Sequence, residues 1–274
     1  MRTAVFLLLL VTLLHAEFLV ESVDVTISDV QSDGSAKVHE SIKFIMYGDY
    51  SISLYDSGIE KNSLTFWSST TELKDVKMHV STANVDVRDF RLRPQPRTGC
   101  NPIQGTCHGE LILDYWAYPS FNDSMETEPV PGTGIFTMEQ YKPRTKRYTI
   151  NPDSLSFTTT SEGNIVLEDK VYLTIELPPG SELLDVNPYP MDDSIDLPSY
   201  VSELSWNDIV LVKFSLVFDV EEGIDKEISD FFAGITRNIS RTLSSPEGFA
   251  LIILTVVLIA SYFYIIMAKR RGET

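Results

Sequence analysis

A single apolar run, Phe249–Met267, precedes Lys269, Arg270 and Arg271 close to the carboxyl end of the chain. Its 19 uncharged residues are long enough to cross a bilayer core of about 30 Å as one helix. Basic residues flanking one end mark that end as cytoplasmic. The expectation is therefore a transmembrane helix over 247–268, a cytoplasmic tail at 269–274, and everything before it outside. The amino terminus fits this orientation. Arg2 supplies a positive charge, Ala4–Leu14 an apolar core too short to span, and Ala16 a small residue for cleavage. Residues 1–16 are read as a signal peptide, with an uncleaved anchor as the alternative because Leu14 is large for its position. The expected topology is that of a single-pass type I cell-membrane protein whose amino-terminal domain is extracellular.

Setting aside Arg2, Lys269, Arg270, Arg271 and Glu273 leaves 38 acidic against 18 basic residues in the exported part. A field of that sign disfavours nucleic acid and anionic lipid as partners. It serves solubility, or divalent cations. Cys100 and Cys107 are the only cysteines. Export makes a disulfide between them the default. A metal site built from Cys100, Cys107 and His108 lacks both a fourth ligand and a CxxC spacing.

Residues 17–221 carry the period-2 alternation of half-buried strands. Val23, Val25 and Ile27 alternate with polar residues, Ser32-Asp33-Gly34-Ser35 makes a turn, and Ala36, Val38, Ile42, Phe44 and Met46 then share a face with Glu40 as the one intruder. This is a hairpin pattern. Further strands are expected at Val76–Val80, Val85–Val87, Leu111–Trp116, Leu155–Phe157, Val171–Leu177 and Val201–Trp206. A last one has Val210, Val212, Phe214, Leu216, Phe218 and Val220 all pointing one way. A dozen short strands separated by turns argue a mainly-β fold, a β-sandwich of the immunoglobulin-like type. It forms one continuous sandwich, or two divided near 91–141, where Pro, Gly, Asn and Ser concentrate.

Beyond the last strand, 222–246 reads as a juxtamembrane amphipathic helix. Ile224, Ile228, Phe231, Ile235 and Ile239 lie on one stripe, together with Phe232 and Leu243. Asp225, Glu227 and Asp230 sit at its start and Arg237 and Arg241 near its end, as the helix dipole favours. The stripe packs under the sandwich, lies in the outer membrane interface, or meets a partner. The span itself has no GxxxG motif and no internal charge to specify pairing.

No GxSxG, HExxH, P-loop or dinucleotide fingerprint occurs, so no catalytic residue, cofactor or metal ligand is assigned. His39 and His79 are read as solvated on polar strand faces. Asp192-Asp193-Ser194-Ile195-Asp196 offers oxygen ligands for Ca²⁺ but lacks the glycine of an EF-hand loop, and a solvated turn is the plainer reading. Two basic clusters interrupt the acidic background: Arg88, Arg91, Arg93 and Arg97, then Lys142, Arg144, Lys146 and Arg147. They either balance nearby acids or receive an anionic glycan or the acidic face of a neighbour. Tyr115, Trp116, Tyr118 and Phe121 nearby either stack on sugars or close the core. Asn122 and Asn238 head glycosylation sequons.

Val23–Ile27, Asp33-Gly34-Ser35 and Val38-His39-Glu40 resemble the opening of uncharacterised archaeal and bacterial membrane-anchored surface proteins. Leu177-Pro178-Pro179-Gly180-Ser181 and Leu204-Ser205-Trp206 are similar to a recurrent archaeal surface pattern. The resemblance implies a β-sandwich ectodomain and an archaeal origin, and no catalytic residue. The function expected is a non-enzymatic binding, adhesion or structural module of the envelope, with envelope protein, glycan or a membrane-complex subunit as partner. The alternatives are an accessory subunit of a transport, secretion or surface-assembly complex, acting through the juxtamembrane helix and the span, and an extracellular hydrolase.

Overall fold

The alternation of residues 23–27 becomes the inward face of β1 (Glu17–Ser28), and the turn at 32–34 returns the chain as β2 (Ala36–Tyr47). Asp33 fixes that turn, its carboxyl accepting from the Ser35 amide at 2.9 Å and the Ser35 hydroxyl at 2.6 Å. The structure is a computed structural model that describes residues 16–120, 130–190 and 196–221. Expectations for the signal peptide before Ala16, Phe121, Asn122, Asp192, Asp193, the Ile224–Leu243 stripe, Asn238, the apolar run and the tail lie outside the described residues. The chain divides at Glu221 into two units, and the described residues all belong to the first.

That unit is mainly β, with two sheets, consistent with a β-sandwich. The strands after β2 are β3 (Asp86–Pro94), β4 (Thr98–Asn101), β5 (Thr106–Tyr118), β6 (Phe136–Lys142) and β7 (Thr145–Ile150). They continue with β8 (Thr158–Thr159), β9 (Ile165–Glu176), β10 (Glu182–Asn187), β11 (Ser199–Tyr200), β12 (Glu203–Leu211) and β13 (Ser215–Glu221). The larger sheet runs β12-β9-β1-β2-β5-β3, with β4 added to β5 and β8 to β9; the smaller runs β11-β10-β13-β7-β6. Neighbours are antiparallel except β1 and β9, which pair in parallel from Val23 opposite Val171 to Ile27 opposite Ile175. Apolar residues of both sheets join one core, with Trp206, Phe44, Phe136 and Phe218 among its largest buried side chains.

Four expectations need correction. The described chain is not β throughout. Helices α1 (Gly48–Gly58) and α2 (Leu64–Thr71) follow β2, and the buried residues of α1 are Ser51, Tyr55 and Gly58. A stripe of Ser, Tyr and Gly has helical spacing but little hydrophobic contrast, so periodicity misses it. Tyr55 and Trp67 continue an aromatic row from Phe18 and Phe44, with centroids 5.2–5.7 Å apart. Val76–Val80 is not a strand, only Val80 bridging Leu155, and Leu155–Phe157 follows a 3₁₀ turn at Pro152–Ser154. The alternation from Val210 to Val220 is two strands in two sheets. The chain turns at Val212–Lys213, where Lys213 takes φ 51°, leaving Val210 and Val212 40% and 50% exposed while Leu216 and Phe218 are buried.

Cys100 and Cys107 are joined as a disulfide that ties β4 to β5. Closing so short a loop contributes about 2.5 kcal/mol in the chain-entropy estimate. Serine at both positions is expected to lower the urea midpoint accordingly. Equal midpoints for the variant and the oxidised protein would remove that role.

Candidate functional site

Pairing register sets which side chains share the outward face of the larger sheet. Along β5, Leu111, Leu113, Tyr115 and Ala117 are buried, so His108, Glu110, Ile112, Asp114, Trp116 and Tyr118 face out. Six alternate positions make a strip of about 33 Å. On one side β2 sets Lys37 beside Trp116, His39 beside Asp114, Ser41 beside Ile112 and Lys43 beside Glu110. On the other, β3 sets Arg88 beside Trp116, Arg91 beside Asp114 and Arg93 beside Ile112.

Each histidine of the described chain meets a carboxylate. His39 Nδ1 lies 2.7 Å from Asp114, which Arg93 also binds. Burial would raise the Asp114 carboxyl, but the hydrogen bonds from His39 and Arg93 and their charges outweigh it and hold the group below its ordinary value. Its share of stability is therefore full above the ordinary carboxyl value and is lost as pH falls through the lowered one. His108 Nδ1 lies 2.7 Å from Glu21. Glu21 is the extra residue where the β1–β2 register shifts between Val20 and Ser22, a bulge that re-aims a side chain.

Glu21, Lys43, Gln95, Thr98, His108 and Glu110 line an open cleft of about 580 Å³ at the β4 end of the strip. Its walls are held from several sides. The Tyr55 hydroxyl reaches the Gln95 carbonyl at 2.5 Å and the Glu110 carbonyl at 3.1 Å. Burial pushes that hydroxyl up to about 12, so it stays a donor across the physiological range. Gly99, at φ +56°, lets β4 pass over the imidazole, since a methyl there would stand 2.7 Å from His108 Cδ2. Ser41 donates to Glu110 at 2.6 Å, and Lys43 pairs with Asp24 at 3.3 Å.

The third pair is interior. Glu40, the intruder on the apolar face of β2, is fully buried; one carboxyl oxygen accepts from the His79 amide at 2.9 Å and from the Tyr115 hydroxyl, and the other meets His79 Nδ1 at 2.8 Å. His79 is 2% exposed, which corrects its reading as solvated: its segment is not a strand with an outer face but a loop pinned to the core. Burial, and then the adjoining Glu40, push the Tyr115 hydroxyl well above its usual range. Tyr115 belongs to the core, whereas Trp116 and Tyr118 stand outside, their rings 6.1 Å apart.

The eight basic residues do not form one surface. Arg88, Arg91 and Arg93 make a row on β3, with Arg88 bound to Asp86 at 2.7 Å and over the Tyr118 ring at 4.7 Å. Arg97 turns away to Asp56 at 3.2 Å. The other four lie on the β6–β7 hairpin of the smaller sheet. There Arg147 forks onto Asp219 at 2.8 and 2.9 Å, Arg144 reaches Glu221 at 3.7 Å, Lys142 stands over Tyr141 at 5.0 Å, and Lys146 pairs in register with Gln140 and Val220.

An imidazole oriented by a carboxylate is suited to proton transfer. Among the described residues no hydroxyl or thiol is hydrogen-bonded to the imidazole of His39 or His108. Nor do three or more His, Cys, Asp or Glu side chains converge as metal ligands among them. The disulfide removes Cys100 and Cys107 from any such set. No described helix is long and apolar enough to cross a membrane.

The class defined by these features is a mainly-β protein with a polar outward face on its larger sheet. No family model and no curated protein matches the chain. Among solved structures it is similar to native leukotriene A4 hydrolase from Saccharomyces cerevisiae, at 10% identity and a TM-score of 0.31, over 74% of this chain and 29% of that one. Yeast LTA4 hydrolase in complex with bestatin stands at 9% identity, with a TM-score of 0.31 over 75% and 29%. The chain thus spans less than a third of the length of the solved structures it matches.

Proposed function

We propose that this is a non-enzymatic recognition module of the cell surface, held by one type I membrane span and reading its ligand along the outer face of β5. The immunoglobulin-like form of the sandwich, an archaeal origin and a place among membrane-anchored surface proteins are parts of the same reading. Its main support is the continuity of the outer strip. Charged, amide, hydroxyl and aromatic side chains run from the open cleft at His108 and Glu110 to Trp116 and Tyr118, on a face the smaller sheet does not share. Specific recognition uses such convergent polar groups on a rigid frame.

Crosslinking the full-length protein in native membranes, purifying it in mild detergent and identifying what remains attached tests the reading. Envelope protein or glycan crosslinked to β2, β3 or β5 is the expected result. A stoichiometric integral-membrane partner crosslinked through Ile224–Leu243 would replace it with the accessory-subunit reading.

A further inference from the structure

We propose that Arg88, Arg91 and Arg93, with Trp116 and Tyr118, form a binding site for an acidic polysaccharide, uronate carboxylates meeting the guanidinium groups and sugar rings meeting the aromatic ones. This rests on the outer face of β5 being a recognition surface.

The first support is backbone phase. Arg88 and Arg91 are three positions apart, which in a regular strand sends them to opposite faces. A register shift falls between them, at Asp89 with φ 55°, and it places Arg88 opposite Trp116 and Arg91 opposite Asp114. Both then point outward, and Arg93 follows opposite Ile112. Three arginine positions follow one another about 7 Å apart along one edge because of that bulge. Lys37 flanks Trp116 from the other side. In a chain of formal net charge −17, this row gathers cations where the composition does not.

The second support is the pair of rings. Trp67 and Trp206 are fully buried, while Trp116 lies on the outer face beside Tyr118, tilted by 35°. Asp86 and Asp114 hold Arg88 and Arg93 in place, whereas Arg91, exposed, makes no ion pair with any described residue. An acidic peptide has use for the arginines but not for the rings. A neutral glycan has use for the rings but not for the arginines. A uronate polymer uses both: the C–H faces of its sugars cover aromatic carbon, and its carboxylates take guanidinium hydrogen bonds.

The test titrates full-length protein in detergent with polygalacturonate, with polyglutamate and neutral dextran as controls, following tryptophan emission and affinity. With two of the three tryptophans buried, a change in emission reports Trp116. Polygalacturonate is expected to bind with an emission shift, and Arg91→Ala to weaken binding about tenfold with unchanged near-UV circular dichroism. Absence of binding, wild-type affinity in Arg91→Ala, or an equal response to polyglutamate or dextran overturns the proposal. Labelling of intact cells with a membrane-impermeant amine reagent separates the two levels. Labelled protein that ignores polygalacturonate loses only the ligand class, while protein inaccessible to the reagent loses the surface reading as well.

Discussion

Replacing Glu40 with alanine is expected to lower the stability of the β unit by about 3–5 kcal/mol, the usual loss when one partner of a buried ionisable pair is removed. The carboxyl lies on the buried face of β2 with Val38 and Ile42, and among the described residues neither the His79 amide nor the Tyr115 hydroxyl makes another hydrogen bond. The His79 amide, the His79 imidazole and the Tyr115 hydroxyl all lean on it. Without it they are stranded in a core that excludes water. The loop carrying His79 keeps other anchors, since the His79 carbonyl accepts from the Ser156 amide at 2.8 Å, Lys77 donates to the Ser156 carbonyl at 2.7 Å, and Val76 and Val80 are buried, so the expected loss is local to the Glu40 cluster. For a unit of this size the loss corresponds to a fall in Tm of roughly 10 °C. Tyr115→Phe, which removes only one donor, is expected to cost about 1–3 kcal/mol. Calorimetry together with amide exchange at His79 checks both. A Glu40→Ala loss below about 1 kcal/mol would show the cluster to be a passenger in the core.

The second large effect is expected at Gly34, in the turn between β1 and β2. Its φ is +84°, and a methyl there would overlap the carbonyl oxygen of Phe136, the first residue of β6. Gly34→Ala therefore combines the left-handed backbone penalty of about 1–2 kcal/mol with an overpacking cost of about 1–3 kcal/mol. The obstacle is backbone of the other sheet, so it cannot rotate away. Gly163→Ala provides the comparison, because Gly163 has φ +83° but nothing within 4 Å of the added carbon. The difference in unfolding free energy between the two variants isolates the contact between the sheets. Equal losses would mean that the turn yields and the contact matters little.

How far the sequence revealed this molecule depends on which interaction determined each part. The β1–β2 hairpin and β5 were legible because one face is apolar and the other polar, the pattern a half-buried sheet imposes. Glu40 stood out for the same reason, as a charge on the wrong face. Its partners were hidden, since His79 lies in a loop whose Val76 and Val80 imitate alternation by burying separately. The turn at Val212–Lys213 carries no Gly, Pro or Asn, so nothing in the composition divides Val210 from Phe214. The candidate site was half visible. Its arginines could be counted, but Arg88 and Arg91 share a face only through a bulge, and bulges leave no mark on hydropathy. Glu21 reaches His108 by the same device. Lys43 and Glu110 meet through register across β2 and β5, which a linear pattern does not contain.

The parallel pairing of β1 with β9 has a consequence for how the protein is made. Synthesis runs from the amino end, so β1 is made before both strands that pair with it. Its neighbour on the β9 side follows on the order of 150 residues later, a separation that slows closure of the sheet. Until then the β1–β2 hairpin presents Val23, Val25 and Ile27 on a strand with one unpaired edge, the form in which chains most readily join each other. The edge of β1 is therefore where a growing chain is most exposed to pairing with another, until Val171–Ile175 arrives beside it.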